Sequence, residues 1–401
     1  MNPTNRLTVL CLASFFKGNR FFQRLHEEGC YVILITSDKF KNEDWAREYI
    51  SEFHSVPSFE DRTGLINGVA WLFRDRRIDR IVALDDFDVE VGAAMREHFR
   101  IPGLNDSNAR FFRDKLAMRV KAKELGITVP RFTPVFHHPD VAKFLAEVPA
   151  PWLIKPRGEA SAVGIKKLHT AQEAWATIHE LGDRQSYNVL EQMIPGDLYH
   201  VDSLTQDGKI VFAEVGRYGR PLLEVAHEGG IYVTRTQPRD SKEAKLLLEA
   251  NAAVLQGFGL RRGASHTEFI IGRDDGKAYF IETSARVGGA NISETVEAAT
   301  GVNLWSEWAK LEIEGDGFAY KAPRVREEFA GVVISLARDE YPDTSSFTDP
   351  EIVDRLKKKN HIGFVVRSPK AERVEQLLKG YLERISREFH ASLPAPPKST
   401  S

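Results

Sequence analysis

The sequence predicts an α/β protein that begins with a doubly wound parallel sheet and continues into mixed α+β regions. Three observations predict it. The chain has 401 residues, and roughly 100–200 residues per domain suggest two or three domains. The first hundred residues alternate short apolar runs with helical periods, which is typical of a parallel sheet flanked by helices. Beyond residue 150, strand patterns and Asp-Gly turns become frequent.

The first region opens with the predicted strand Thr8–Ser14 and the predicted helix Phe15–Glu28, which Gly29 ends. The β-branched run Tyr31–Thr36 predicts a second strand. The apolar run at residues 7–16 also resembles a signal-peptide core, but the buried strand is favoured because one basic residue precedes it and no cleavage site follows. The other predicted elements here are helices at Asn42–Ile50 and Thr63–Phe73 and a strand at Ile81–Leu84.

Polar residues stand where these strands end. Ligands of doubly wound sheets bind beyond the carboxyl ends of the strands, where Ser14, Thr36 and Asp85 lie. The chain has no GxGxxG motif, so no dinucleotide site is predicted.

A second α+β region follows a linker at Asn105–Asn108. Its predicted elements are the helix Ala109–Leu125, the strands Trp152–Lys155, Ile165–Leu168 and Asn188–Met193, and the helix Ala171–Leu181. A third region holds the hairpin Thr267–Ile271 with Ala278–Ile281, the strands Gly331–Ala337 and Gly363–Arg367, and the helices Ser241–Phe258, Ile292–Ala299 and Glu372–Phe389. The predicted domains are therefore 1–112, 113–187 and 188–401.

Composition excludes several classes of protein. A net charge of -2 means that the chain has no excess of positive charge for binding nucleic acid or an anionic membrane. No apolar run approaches the ~18 residues of a membrane helix. Two cysteines, Cys11 and Cys30, suggest neither a disulfide framework nor a zinc site, and a cytoplasmic location is predicted.

Lys155 precedes a loop of small residues that ends at Gly164 and contains Ser161. Backbone N–H groups of such a loop can face phosphate oxygens, and the ammonium group adds a point charge. The sequence lacks the GKS/T of a Walker A loop, and an ordinary hairpin explains this segment equally well.

The strongest element is a pair of carboxylates on one predicted hairpin. Alternation places Glu268 and Ile270 on one face, and Glu282 and Ser284 face the same way on the partner strand. Two neighbouring carboxylates suit Mg²⁺, which takes one or two of them together with nucleotide phosphates. The alternative is a solvated hairpin face.

Arg286 follows two residues after Ser284, and Gly288-Gly289 offer backbone donors before the next helix. This arrangement suits an oxyanion site. The alternative for Arg286 is an ion pair with one of the two carboxylates.

Other candidate residues carry weaker signals. The strand that ends at residues 191–196 could bind a purine edge through Glu191 and backbone groups, and Asp197 could accept a ribose hydroxyl, although an edge strand and a turn explain both equally well. His266 could approach a terminal phosphate or simply pack in the core. Arg217, His227 and Arg235 could bind a substrate carboxylate or form a surface charge run.

Taken together, residues 102–311 resemble the ATP-grasp superfamily, in particular carboxylate–amine ligases such as L-amino acid ligases and carnosine-synthase-like enzymes. The motifs that carry this resemblance are Asp114-Lys115, Ile154-Lys155-Pro156, the 158–164 loop, Glu191–Gly196, His266-Thr-Glu268, Glu282–Arg286 and Gly288-Gly289. The resemblance implies an ATP-grasp fold in which two α+β lobes clasp ATP behind an N-terminal parallel-sheet domain.

The resemblance also implies roles for particular residues. The phosphates would be held by Lys115, Lys155, Ser161 and Gly164, and the nucleoside would be bound by Glu191, the Ile194 backbone and Asp197. The Mg²⁺ ligands would be Glu268 and Glu282, with Mn²⁺ as an alternative ion. The tetrahedral intermediate would be stabilised by Arg286 and Gly289. The chain departs from the family at Ser284, where Asn is usual, which puts a second metal ion in doubt. The ribose carboxylate of the family often falls at Leu198.

By this resemblance the protein joins a carboxylate to an amine through an acyl phosphate and releases ADP. Its partners would be small carboxylates and amines, with an amino acid among them, and a homodimer is compatible with the family. Two alternatives stay open: another ATP-grasp chemistry such as carboxyphosphate formation in purine synthesis or carboxylases, and a nucleotide-binding regulatory module without turnover.

Overall fold

A computed structural model describes residues 6–160, 162–220, 225, 229–315 and 320–392. These residues form three sheets, which correspond to an N-terminal domain, a central lobe and a C-terminal lobe. None of the described helices is long and apolar enough to cross a membrane.

The N-terminal sheet is parallel and has the strand order β3-β2-β1-β4. Every residue of β1 is buried, as expected for a central parallel strand covered on both faces, so the predicted buried first strand is confirmed. The elements of this domain are β1 (Thr8–Ala13), α1 (Asn19–Glu27), β2 (Tyr31–Ser37), β3 (Glu52–Val56), α2 (Arg62–Leu72), β4 (Arg80–Ala83) and α3 (Val89–Phe99).

The predicted helix at Asn42–Ile50 is wrong. Only the 3-10 turn Arg47–Tyr49 is helical there, and the chain then forms the edge strand β3. All five residues of β3 are half-buried, so the strand shows no strong apolar alternation.

The predicted helix Ala109–Leu125 is interrupted. It consists of α4 (Asp106–Ala109), the 3-10 turn Arg110–Phe112 and α5 (Lys115–Glu124). The break arises because the Asp114 side chain caps α5, where its Oδ1 accepts hydrogen bonds from the backbone N–H groups of Leu116 and Ala117 at 2.9 and 3.2 Å. Lys115 therefore occupies the first turn of α5 and not the middle of a long helix.

The central lobe has an antiparallel sheet with the order β5-β8-β6-β7. The predicted domain boundary between residues 187 and 188 cuts this sheet, because β8 pairs with β6 and β5 in the central lobe. The elements of the lobe are β5 (Phe132–Pro134), α6 (His138–Glu147), β6 (Trp152–Pro156), β7 (Lys166–Leu168), α7 (Ala171–Leu181) and β8 (Asn188–Gln192).

The C-terminal lobe is an antiparallel sheet with the order β13-β12-β9-β10-β11-β14-β16-β15. Its strands are β9 (Gly196–Gln206), β10 (Lys209–Tyr218), β11 (Tyr232–Thr236), β12 (Gly263–Gly272), β13 (Ala278–Ser284), β14 (Phe329–Leu336), β15 (Ile352–Arg355) and β16 (His361–Ser368). Its helices are α8 (Lys242–Phe258), α9 (Ile292–Thr300), α10 (Leu304–Ile313) and α11 (Ala371–Glu388).

The two faces of this sheet have different neighbours. Tyr199, Val201 and Val215 pack in one apolar cluster with residues of α8. The alternate residues of the same strands, among them His200 and Asp202, lie on the opposite face, because successive side chains of a strand point to opposite sides. This second face carries the functional groups described below.

Candidate active site

A cavity of about 1490 Å³ is lined by all three parts of the molecule. Asp86 comes from the N-terminal domain, Lys155 and Glu191 from the central lobe, and Glu268 and Glu282 from the C-terminal lobe. Of the other predicted site residues, Lys115, Ile194, His266, Arg286 and Gly289 also line it. Ser161 and His227 lie outside the described residues.

Lys115 connects the Glu282 carboxylate to the small-residue loop. Its Nζ lies 2.7 Å from Oε2 of Glu282 and donates a hydrogen bond of 2.6 Å to the carbonyl oxygen of Glu159. Burial alone would raise the pKa of Glu282, but the ammonium group of Lys115 holds it below its usual value. Glu282 is therefore an ionised carboxylate.

The loop that follows Lys155 is tied down at its start. Arg157 makes a two-point contact with the carboxylate of Asp114, and Arg113 donates to the carbonyl of Gly158. Gly164 has a φ of +72°, and a Cβ on it would lie 2.8 Å from Cγ of Pro156, so a side chain is excluded there.

Glu191 is buried between two cations. Its carboxylate lies 2.8 Å from Nζ of Lys155 and 2.8 Å from Nε of Arg119. Burial would raise its pKa, but the charges of Arg119 and Lys155 keep it below the usual value. This ion-pair network holds Lys155 at the cavity wall, and Arg119 is a member that the sequence patterns did not indicate.

Glu268 and Glu282 are direct cross-strand neighbours on β12 and β13, as the hairpin pattern predicts. Like charges in this position repel each other unless a cation or a hydrogen-bond donor compensates them. Tyr218 donates a hydrogen bond of 2.8 Å to Oε1 of Glu268, and Lys115 compensates Glu282. Two hard oxygen donors on one cavity wall fit Mg²⁺ or Mn²⁺, which prefer carboxylate ligands.

A second buried network lies beside Glu268. Asp202 accepts from Nδ1 of His200 at 2.6 Å and from Nδ1 of His266 at 2.9 Å. Burial would lower the pKa of His266, but Asp202 raises it to about 9. The cluster fits only because Gly216 and Gly288 lack side chains. A Cβ on Gly216 would lie 2.2 Å from the His200 ring, and a Cβ on Gly288 would lie 2.7 Å from the Asp202 carboxylate.

Among the described residues, one group of three His, Cys, Asp or Glu side chains is compact enough to surround a metal ion. It consists of His200, Asp202 and His266. Their ligand atoms are, however, already used in hydrogen bonds with one another. The network therefore positions His266 at the cavity wall more readily than it holds an ion.

Arg286 is fixed by the N-terminal domain. Its Nε and Nη2 donate to Oδ2 of Asp86 at 3.0 and 2.5 Å, and its Nη1 donates to the carbonyl oxygen of Val287 at 3.0 Å. Burial would lower the pKa of Arg286, but Asp86 raises it, so the guanidinium stays charged. The ion-pair partner is thus neither Glu268 nor Glu282, which were the alternatives from the sequence.

Asp86 is a site residue that the sequence patterns did not single out. The signal was its position two residues after Leu84, the end of the predicted strand Ile81–Leu84, where ligands of a parallel sheet gather.

Three predicted residues lie away from the cavity. Asp197 and Arg217 form an ion pair of 2.8 Å, and Arg235 pairs with Glu375 at 3.3 Å. Arg217 and Arg235 are cross-strand neighbours of each other, on the sheet face opposite the cavity. The prediction that Arg217 and Arg235 bind a substrate carboxylate in this cavity is therefore corrected. The prediction that Asp197 binds ribose is corrected as well, because its neighbour Leu198 faces the cavity instead.

Residues 148–294 match the family model of the ATP-grasp domain. The L-arginine-specific L-amino acid ligase of Bacillus subtilis is 27% identical over 246 residues, which cover 59% of this chain and 58% of that protein. A D-alanine–D-alanine ligase of Burkholderia cenocepacia is 22% identical over 206 residues, which cover 48% of this chain and 62% of that protein. The chain thus spans less than two thirds of the length of these curated relatives.

Solved structures extend the likeness over nearly the whole chain. The L-amino acid ligase from Bacillus licheniformis superposes with a TM-score of 0.75 at 17% identity, covering 98% of this chain and 100% of that one. The N5-carboxyaminoimidazole synthetase from Staphylococcus aureus, complexed with ADP, gives a TM-score of 0.72 at 16% identity, covering 94% and 98%. The predicted ATP-grasp fold is confirmed by the solved structures, and residues 148–294 carry the match to the ATP-grasp domain.

Proposed function

We propose that this protein is an ATP-dependent, ADP-forming ligase that joins a carboxylate to an amine, with an amino acid as one substrate. The observation that carries the proposal is the convergence of four groups on one cavity: the ammonium groups of Lys115 and Lys155 and the carboxylates of Glu268 and Glu282. Paired cations and paired carboxylates are what phosphoryl transfer from a nucleotide requires.

The nucleotide would lie between the central and C-terminal lobes. Lys115, Lys155 and the loop through Ser161 and Gly164 would hold its phosphates, while Glu191 and the Ile194 backbone would face the adenine. Glu268 and Glu282 would hold Mg²⁺ or Mn²⁺, which when bound neutralises phosphate charge.

The reaction would proceed in two steps. The substrate carboxylate attacks the γ-phosphate of ATP, so that the bond to ADP breaks and an acyl phosphate forms. The amine then attacks the acyl carbon, the amide bond forms and inorganic phosphate leaves. The lysines spread the charge of the transferring phosphoryl group in the first step.

Arg286 would act mainly in the second step. A guanidinium has five N–H donors, of which contacts with Asp86 and Val287 use three. The remaining donors and the backbone N–H of Gly289 would face the oxyanion of the tetrahedral intermediate.

The relatives found by sequence support this function more strongly than the similarity of fold to solved structures does. The N5-carboxyaminoimidazole synthetase superposes about as well as the L-amino acid ligase, whereas the curated relatives described above are amino acid ligases. The partners proposed are therefore small carboxylates and amines. We also propose the cytoplasm as the location, in keeping with the free, buried thiols Cys11 and Cys30, and leave a homodimer as a proposal.

A pairwise screen of amino acids and small carboxylic acids, followed by ADP and phosphate release, tests the function. ADP release that requires both a carboxylate and an amine supports the ligase. Stimulation by bicarbonate alone would favour carboxyphosphate chemistry. ATP binding without ADP release in any mixture would favour a regulatory module.

A further inference from the structure

The two lysines that line the cavity beside the small-residue loop are each paired with a carboxylate. Nζ of Lys115 lies 2.7 Å from Glu282, and Nζ of Lys155 lies 2.8 Å from Glu191. Opposite charges at this distance nearly cancel each other for a third charge farther away. The attraction of each lysine for a phosphate group therefore depends on what else compensates its carboxylate.

Arg119 supplies this compensation for Glu191. Its Nε lies 2.8 Å from Oε1 of Glu191, and its Nη2 donates a hydrogen bond of 3.3 Å to Oε2, the oxygen that Lys155 contacts. The side chain of Arg119 is 0% exposed and that of Glu191 is 1% exposed, so salt and water screen their interaction little. Two cations thus share one anion, and the group of three keeps one net positive charge.

The three side chains are layered so that this positive charge is available at the cavity. Lys155 and Glu191 line the cavity, whereas Arg119 lies behind Glu191 and is not a lining residue. Arg119 stands four residues after Lys115 on α5, so the two side chains project from the same face of that helix. One helix therefore presents Lys115 to the cavity directly and acts on Lys155 through Glu191.

We propose that Arg119 is a positioning residue for nucleotide binding, which balances the charge of Glu191 so that Lys155 presents an uncompensated ammonium group to the phosphates. This role rests on the proposed ATP-dependent function and belongs to a residue outside the cavity lining. Among the described residues, Arg119 and Lys155 are the two cations in contact with Glu191. Without Arg119, the charge of Lys155 would be neutralised by Glu191 alone.

The test compares a ligand that has phosphates with one that has none. ADP with Mg²⁺ and adenosine are titrated separately into the full-length protein, and calorimetry measures the two dissociation constants. In Arg119→Met, the dissociation constant for ADP should rise by about 10-fold or more, because one positive charge near the phosphates is lost. The value for uncharged adenosine should stay within about twofold, since it has no phosphate to respond to this charge.

Two further variants separate the effect of charge from that of shape. Adding Glu191→Gln to Arg119→Met removes the anion together with the cation, so the double variant should bind ADP at least about fivefold more tightly than Arg119→Met. Glu191→Gln alone keeps both cations and an acceptor oxygen, and should raise the preference for ADP over adenosine above that of the wild type. Arg131→Met, which breaks an exposed pair with Glu147, is the matched control and should change neither dissociation constant.

Circular dichroism establishes which variants are folded, and Glu191→Gln decides the question if Arg119→Met is not. Equal losses for ADP and adenosine in Arg119→Met, or no recovery in the double variant, would mean that Arg119 acts through the shape of the site, and the charge balance would be rejected. An unchanged ADP preference in either single variant would reject it as well. A wild type that does not bind ADP would instead overturn the proposed ATP-dependent function.

Discussion

Nζ of Lys115 lies 2.7 Å from Oε2 of Glu282, so a predicted phosphate-binding cation and a predicted metal-binding carboxylate neutralise each other. The two residues come from different elements: Lys115 is the first residue of α5, and Glu282 lies on β13 of the C-terminal lobe. Phosphate oxygens would compete with Glu282 for the same ammonium group. In the proposed function, nucleotide binding at Lys115 would therefore change the charge that balances Glu282, the proposed metal ligand.

Replacing Lys115 with methionine should lower ADP release by about 10²–10³-fold, the usual effect of removing one charged group that stabilises a transition state. Steady-state ADP release measures it. Lys123→Met is the control, because Lys123 lies exposed on the same helix and should leave the rate unchanged. A Lys115 variant within a few-fold of the wild type would exclude this residue from phosphate binding.

Replacing Glu282 with alanine should abolish ADP release without unfolding the protein. The side chain is half-buried at the cavity wall, so its loss would remove the proposed metal ligand and little packing. ADP release and circular dichroism are measured together. Asp274→Ala, an exposed change in the turn of the same hairpin, should behave as the wild type. Near-normal ADP release by the Glu282 variant would remove the metal assignment.

The buried pair of Arg119 and Glu191 predicts a large effect on stability. Arg119→Met would leave the Glu191 carboxylate with Lys155 as its remaining partner and should lower the free energy of unfolding by about 3–5 kcal/mol. Urea denaturation measures the change. Arg131→Met breaks an exposed pair with Glu147 and should have little effect, so similar losses in the two variants would contradict the argument.

Local patterns were sufficient for those parts of the site that lie within one supersecondary unit. Glu268 and Glu282 share a hairpin, so alternation and one turn determine that they are neighbours. The helices α8 and α11 were predicted to within one residue, because each combines a long apolar period with a polar face.

Contacts between segments that are distant in the sequence could not be predicted from local patterns. Asp86 and Arg286 are 200 residues apart, and only the packing of the N-terminal domain against the C-terminal lobe joins them. Arg217 and Arg235 were misplaced for a related reason: the face of a strand that lines a cavity depends on which neighbouring elements cover its other face.

The raised pKa of His266 makes the stability of the protein dependent on pH. The folded-state pKa is about 9 against an ordinary value of 6.5, because Asp202 stabilises the imidazolium in spite of its burial. A group with a raised pKa contributes stability that is complete below the unfolded pKa and is lost as the pH rises through the folded pKa. The free energy of unfolding should therefore fall between pH 6.5 and about 9, by on the order of 3 kcal/mol at most.

Urea denaturation at several pH values across this window tests the dependence. In the His266→Gln variant, the free energy of unfolding should vary less with pH than in the wild type. His169→Gln is the matched control, since His169 is exposed and its backbone N–H donates to Glu173, not to Asp202. Asp202→Asn should flatten the profile as well, because it removes the carboxylate that holds the proton on His266. A wild-type slope that persists in both the His266 and the Asp202 variants would assign the pH dependence to other groups.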